Sequence, residues 1–269
     1  MLHHPTYRLG FGTYSLTGER GIDAIRTALE AGYRHVDTAR LYGNQREVGE
    51  AIARADVPRE ELFVATKIGH FEEPEKTTEY VDSGVRDSLD RLGLDRVDLL
   101  YHHWPRRPSE IETVLPAFNT LVAEGLVDRV GVSNYTRDDL DRADDLLDVP
   151  LFANQIEMHP LLPQRALRRA VRERDATVVA YSPIAQGAVF DEAEITAVAE
   201  KHGVDEASVS LAWLLSKEGV AAIPRSQLPA HIRSNYAARQ VDLDETDIER
   251  IDGIDRRHRC EDPAWMTWD

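Results

Sequence analysis

A single-domain (β/α)8 barrel of the TIM type, spanning residues 1–269, is the fold this sequence predicts, and three features predict it. Short, near-continuous apolar runs alternate with amphipathic segments, the pattern of a parallel sheet covered on both faces. The alternation recurs about eight times at roughly 30-residue spacing, which suits a closed barrel. No Pro-, Gly- or Ser-rich linker interrupts the series. A doubly wound open sheet is the alternative packing of the same units.

The elements follow in order. Tyr7 to Ser15 reads as a short first strand. Its segment Gly10-Phe11-Gly12-Thr13-Tyr14-Ser15 imitates a GxGxxG nucleotide loop but carries Ser15 where the third Gly belongs, so no Rossmann cradle is expected there. A helix with Ile22, Ile25 and Leu29 on one face stops at Gly32, and the strand Arg34 to Asp37 follows. Glu47 to Arg54 is helical and Pro58 opens a turn. Leu62 to Thr66 is a strand, and Thr77 to Leu92 is a helix stopped by Gly93. Val97 to Tyr101, Val127 to Val132, Leu151 to Ile156, Thr177 to Tyr181 and Val220 to Ile223 are the remaining strands. Helices over Ile111 to Glu124, Arg137 to Leu147 and Gln164 to Arg174 separate the first four of these. Ile195 to His202 and Ser208 to Ser216 precede the last strand. Leu228 to Arg239 and Asp244 to Ile254 close the chain, the second as an extra C-terminal helix.

Composition excludes several roles. With 48 acidic residues against 32 basic ones, the net charge of -16 opposes binding to nucleic acid. No apolar run is long enough for a membrane span, and the N-terminus MLHHPTYRLG has no apolar core of a secretory signal. The single Cys260 has no internal disulfide partner, which suits a reducing, cytoplasmic compartment. His3 and His4 read as a solvated terminus. The acidic run Asp138, Asp139, Asp141, Asp144, Asp145 and Asp148 reads as a solvated helix face, and Arg256-Arg257-His258-Arg259 as a basic surface knot.

In a barrel the C-terminal strand ends converge on one mouth. There the sequence places Asp37 and Tyr42, Lys67, His103, Ser133-Asn134, Asn154-Gln155, Tyr181-Ser182 and Arg225-Ser226. A phenol ordinarily has a pKa near ~10, too high for easy proton exchange at neutral pH. A nearby ammonium favours phenolate, and Asp37 would hold that ammonium in place. The task suited to such a phenol is protonating an oxygen whose carbon accepts a hydride, with His103 orienting that oxygen. Adjacent strand residues face opposite sides, so only one of His102 and His103 looks into the mouth. His102, His103 and His159 lack the spacing of a metal motif, and no metal site is expected from them.

The blocks GYRHVDTARLYGN, LFVATK, YHHWP, GVSNY, NQIEMHP, AYSP and AIPRS resemble the signature segments of the aldo-keto reductase superfamily. The similarity runs from Gly10 to about Leu243. Within the superfamily it points to the small microbial 2,5-diketo-D-gluconate and methylglyoxal reductases, whose chains end in a tail like Trp268-Asp269. The resemblance implies a catalytic tetrad of Asp37, Tyr42, Lys67 and His103, with Tyr42 as general acid. It implies a nicotinamide stacked on Tyr181, its carboxamide held by Ser133, Asn134 and Gln155. The phosphates would lie along Ser182, Pro183, Ile184 and Gln186 and near the helix after the last strand. The adenosine end would meet Ile223, Arg225, Ser226, His231 and Asn235. Arg225 stands where many members carry a Lys against a 2′-phosphate, so NADPH is the expected cofactor, with NADH use possible. His231 replaces a second Arg of those members. Substrate contacts would come from Tyr14 and Trp104. The stretch Arg106 to Glu110 is short, which implies an open pocket for a small, polar carbonyl compound. A cofactor-binding, non-catalytic member of the superfamily is the alternative reading, and a metal-dependent barrel hydrolase a third. A monomer or weak dimer is expected.

Among the basic residues only Lys67, Lys76, Lys201 and Lys217 are lysines. Abundant Asp with scarce Lys resembles proteins of salt-loving organisms, in which concentrated salt screens the self-repulsion. Thermal unfolding should therefore occur at a clearly higher temperature in multimolar KCl than in dilute buffer; equal midpoints would remove the inference.

Overall fold

The structure, a computed structural model, describes residues 2, 4–73 and 76–268. His3 and Asp269, read above as part of the terminus and tail, lie outside the described residues. Eight strands are present among them: β1 (Phe11–Gly12), β2 (His35–Asp37), β3 (Phe63–Ile68), β4 (Leu99–His102), β5 (Val130–Ser133), β6 (Leu151–Glu157), β7 (Thr177–Tyr181) and β8 (Val220–Ala222). They pair in sequence order, and every adjacent pair is parallel. The last strand returns to the first. Leu9 bridges Ala222, Gly10 N–H donates to Ala222 O at 2.8 Å, and Gly12 N–H donates to Pro224 O at 3.0 Å. The fold is the expected (β/α)8 barrel.

The helices are α1 (Pro5–Arg8), α2 (Gly18–Ala31), α3 (Gln45–Ala53), α4 (Thr78–Leu92), α5 (Pro108–Ala123), α6 (Arg137–Leu146), α7 (Arg165–Arg172), α8 (Ala193–His202), α9 (Glu206–Ser216), α10 (Pro229–Ala237) and α11 (Glu245–Asp252). Their ends follow local chemistry. Gly32 closes α2 in the left-handed region at φ 111°, where its N–H reaches the carbonyls of Ala28 and Leu29. Thr136 with Asp139 and Asp244 with Asp247 form capping boxes that start α6 and α11.

One expectation fails at the N-terminus. Tyr7 and Arg8 lie in α1, not in a strand, and pairing begins only near Leu9. Pro5 suits the first helical turn, and the His4 side chain accepts the Thr6 N–H at 3.3 Å. Arg8 then reaches under the barrel to the carbonyls of Leu215, Lys217 and Val220. At the other end, α10 stops at Ala237 and gives way to a 3-10 turn, Ala238–Gln240. The basic knot is partly engaged: Arg256 pairs with Glu192 at 2.6 Å, and the Arg259 guanidinium lies 3.8 Å from the Trp268 ring centre. The acidic run is only partly free, since Asp139 caps α6 while Asp141 and Asp144 bind Arg174.

Two apolar layers organise the molecule. Alternate strand residues such as Val64, Leu100, Val130, Val178 and Val220 pack with the helices in an outer layer. Phe63, Ala65, Leu99, Tyr101, Ala153, Val179, Ala221 and Ile223 fill a second cluster with Leu2. The two-residue period that separates these sets also fixes which side chains reach the mouth. Lys67 continues Phe63 and Ala65, His103 continues Leu99 and Tyr101, Gln155 continues Ala153, and Tyr181 continues Val179. Among the described residues, no helix is long and apolar enough to cross a membrane.

Candidate active site

The ends of β2 and β3 bring together a carboxylate and an ammonium, both about 1% exposed. Lys67 Nζ donates to Asp37 Oδ1, to Thr38 O at 2.9 Å and to the Tyr42 hydroxyl at 3.3 Å. Its three N–H groups thus have three acceptors. The other Asp37 oxygen accepts the Gln155 amide at 2.8 Å. Tyr42 ends a 3-10 turn, Arg40–Tyr42, closed by Gly43 at φ 69°. Asn44 behind it donates to Thr13 O at 2.7 Å and Leu16 O at 2.8 Å, tying this loop to the one after β1.

Burial shapes the acidity of all three titrating partners. It raises the Tyr42 phenol above its ordinary range, while Lys67 pulls in the opposite direction. It opposes the charge on Lys67, but the Asp37 carboxylate and the Tyr42 oxygen outweigh it and hold the ammonium above its usual value. It drives His103 well below the ordinary imidazole range, helped by Lys67, so that ring is neutral. The net shift of Tyr42 is therefore upward, whereas the ammonium alone would have lowered it.

The His103 ring lies 5.9 Å from the Tyr42 ring at 78° between planes, and its buried Nδ1 has no hydrogen-bond partner among the described residues. His102 faces the helices. Its Nδ1 lies 2.7 Å from the Tyr135 hydroxyl, and burial lowers its pKa to about 3. The His70 ring stands 4.7 Å from that of His103. Sequence reading passed over His70, although it follows Lys67 by three residues in the loop after β3.

The expected cofactor residues form two groups. In the first, Ser133 Oγ donates to Gln155 O at 3.0 Å and Asn134 Nδ2 to Ser133 Oγ at 3.2 Å. Tyr181 OH donates to Asn134 Oδ1 at 2.9 Å. Asn134 adopts φ 60°, which Asn tolerates better than most residues. After β7, Ser182, Ala185 and Gln186 also lie at positive φ; Pro183 O accepts Ser210 Oγ at 2.7 Å, Ile184 is half-buried, and Gln186 reaches Glu261 at 3.3 Å. The second group follows β8. Ile223 lines the interior, and Ser226 Oγ accepts the Leu228 N–H at 3.1 Å before α10. Arg225 Nε donates to Tyr14 O at 3.0 Å, and its Nη2 to Ser15 Oγ. His231 is exposed and Asn235 buried.

The expected substrate contacts differ in setting. Tyr14 is 64% exposed, its ring 5.1 Å from that of Tyr42. Trp104 is buried at 5%. Phe71, Trp265 and Trp268 lie 5.5, 6.3 and 6.1 Å from its ring. The C-terminal tail thus supplies an aromatic cover over Trp104. The tail has no periodicity from which this packing could be read.

The family model described as the aldo/keto reductase family matches residues 8–256. A Salmonella typhi protein bearing the name methylglyoxal reductase DkgA is 37% identical over 257 residues, covering 94% of this chain and 90% of its own length. An aldo-keto reductase of Mycolicibacterium smegmatis is 36% identical, with 96% and 91% covered. A crystal structure described as a 2,5-diketo-D-gluconic acid reductase B superposes with a TM-score of 0.92 at 31% identity, covering 97% of this chain and 93% of that one.

Proposed function

The chain belongs to the aldo/keto reductase family and is an oxidoreductase, and on that premise we propose that it reduces aldehydes or ketones to alcohols using NADPH, with Tyr42 as the proton donor. The observation that carries the reading is the buried Lys67 ammonium bonded to Asp37 on one side and to the Tyr42 hydroxyl on the other.

The donor set fits a nicotinamide dinucleotide. Asn134 offers an amide that meets the Tyr181 hydroxyl, and Gln155 one that meets Asp37. Arg225 uses two of its five N–H donors on Tyr14 and Ser15, and the others would suit an anion. His103 Nδ1 and Trp104 Nε1, without a partner among the described residues, are polar atoms of the kind a ligand or water satisfies. Ser133, Asn134 and Gln155 would hold the carboxamide and Tyr181 the ring face. Ser182, Pro183, Ile184 and Gln186 would line the phosphates; Ile223, Arg225, Ser226, His231 and Asn235 would take the adenosine end. When bound, the cofactor supplies the hydride.

The side chains supply the rest. Burial keeps the phenol protonated at neutral pH, so Tyr42 holds the proton that the carbonyl oxygen needs. Lys67 stabilises the phenolate left after transfer, and Asp37 with Gln155 keeps Lys67 charged and oriented. Neutral His103 has an N–H to offer the same oxygen, which fixes its approach. Tyr14 and Trp104 would flank a small, polar carbonyl compound such as methylglyoxal or a keto-sugar acid, the substrates for which two relatives are named. We infer a cytoplasmic monomer or weak dimer that also accepts NADH.

Tyr42→Phe should bind NADPH as the parent does, by fluorescence titration, while methylglyoxal turnover falls by roughly 100-fold or more. Turnover close to that of the parent would remove Tyr42 from the role. Arg225→Ala should weaken NADPH by roughly tenfold or more and NADH far less, the loss of a charge-assisted contact. Equal losses for both would mean that Arg225 does not meet the 2′-phosphate.

A further inference from the structure

Glu157, His159 and Cys260 form a buried cluster that carbonyl reduction does not use. Glu157 ends β6, His159 follows two residues later, and Cys260 arrives on the tail after α11. A carboxylate oxygen, an imidazole nitrogen and the thiol sulfur lie within 4.8 Å of one another. Glu157 is 1% exposed, His159 is fully buried and Cys260 is half-buried. His159 Nε2 lies 3.0 Å from Glu157 Oε1, and His159 Nδ1 has no partner among the described residues. The His258 ring stands 6.3 Å from the His159 ring.

The chemistry of these donors selects an ion. Magnesium and calcium prefer oxygen-only sites, whereas zinc and its neighbours take nitrogen, sulfur and carboxylate together. Charge agrees. A carboxylate and a thiolate around a divalent cation sum to zero, the arrangement that least penalises burial. The outer shell is present as well: the N–H groups of Cys260 and Glu261 donate to the Glu157 carboxylate at 2.6 and 2.9 Å and fix its orientation.

We propose that Glu157, His159 and Cys260 bind one zinc-class divalent cation, which fastens the C-terminal tail to the barrel. On binding, the Cys260 thiol releases its proton to solvent and the sulfur coordinates as thiolate, with no change of oxidation state. Three protein ligands leave a fourth position for water or His258. The site stands behind the mouth. Glu157 is the register partner of Tyr181, and the fastened tail carries Trp265 and Trp268 onto Trp104. The role is structural, and the three ligands are scattered over a chain separation that matches no metal motif. The sequence reading expected no metal, having weighed His159 only beside His102 and His103.

The test uses the full chain, stripped with a chelator and titrated first with Co²⁺ and then with Zn²⁺, and it needs no activity measurement. Co²⁺ should produce a thiolate-to-cobalt charge-transfer band in the near ultraviolet, and one equivalent of Zn²⁺ should abolish it. Cys260→Ser should lose the band and weaken zinc by more than the roughly 10–100-fold that loss of an outer-shell partner costs. Glu157→Gln, which keeps the side-chain size and an acceptor for one of the two tail N–H groups, should weaken zinc while circular dichroism shows the fold intact. Zinc should also slow tryptic cleavage at Arg259 in the parent and not in Cys260→Ser. Absence of the band, or zinc retained equally by Cys260→Ser, would overturn the site and leave a hydrogen-bonded anchor. Zinc binding without protection of Arg259 would overturn its fastening role.

Discussion

At the mouth of the barrel an ammonium and a carboxylate sit together out of water. Desolvating two such ions costs several kcal/mol apiece, and only excellent geometry repays it. Here Lys67 places all three N–H groups on Asp37, Thr38 O and Tyr42, and Gln155 serves the second Asp37 oxygen. Loss of either partner would strand a buried charge, a change that typically costs about 3–5 kcal/mol. The pair therefore fixes more than chemistry. It ties β2 to β3 and, through Gln155, to β6 on the far side of the mouth, and it sets where the Tyr42 hydroxyl stands.

The barrel makes this affordable by separating support from chemistry. The outward-facing strand residues pack on helices and the inward ones fill the interior, while the residues one step beyond the filled layer are polar. His102 and His103 show the division within two positions. One bonds Tyr135 among the helices, and the other faces Tyr42. Both are kept neutral by burial, but only His103 has its ring beside that of Tyr42.

Much of this was legible in the chain itself. Strand interiors are apolar on both faces, so a polar residue at a strand end is conspicuous, and the two-residue period assigns it to mouth or flank. Asp37, Lys67 and His103 could be read in this way. Other features depended on distance in space. Gln155 meets Asp37 across 118 residues, and Arg225 meets Tyr14 across 211. Helix α1 has four residues, too few for periodicity to reveal, and depends on Pro5 and a His4 cap. The tail has no repeating pattern, so neither its cover over Trp104 nor the Cys260 cluster was readable. The pull of Lys67 on the Tyr42 phenol could be read from the chain, whereas burial, which raises that phenol by more than Lys67 lowers it, is absent from a linear reading.

Lys67 opposes the upward push of burial on the Tyr42 phenol. The direct measurement is the pH dependence of kcat/KM for carbonyl reduction in the parent and in Lys67→Met. With the ammonium gone, nothing offsets burial, so the phenol should keep its proton to higher pH. The basic limb of the profile should move upward while the plateau drops. A basic limb at the same pH in both proteins would contradict this effect of Lys67.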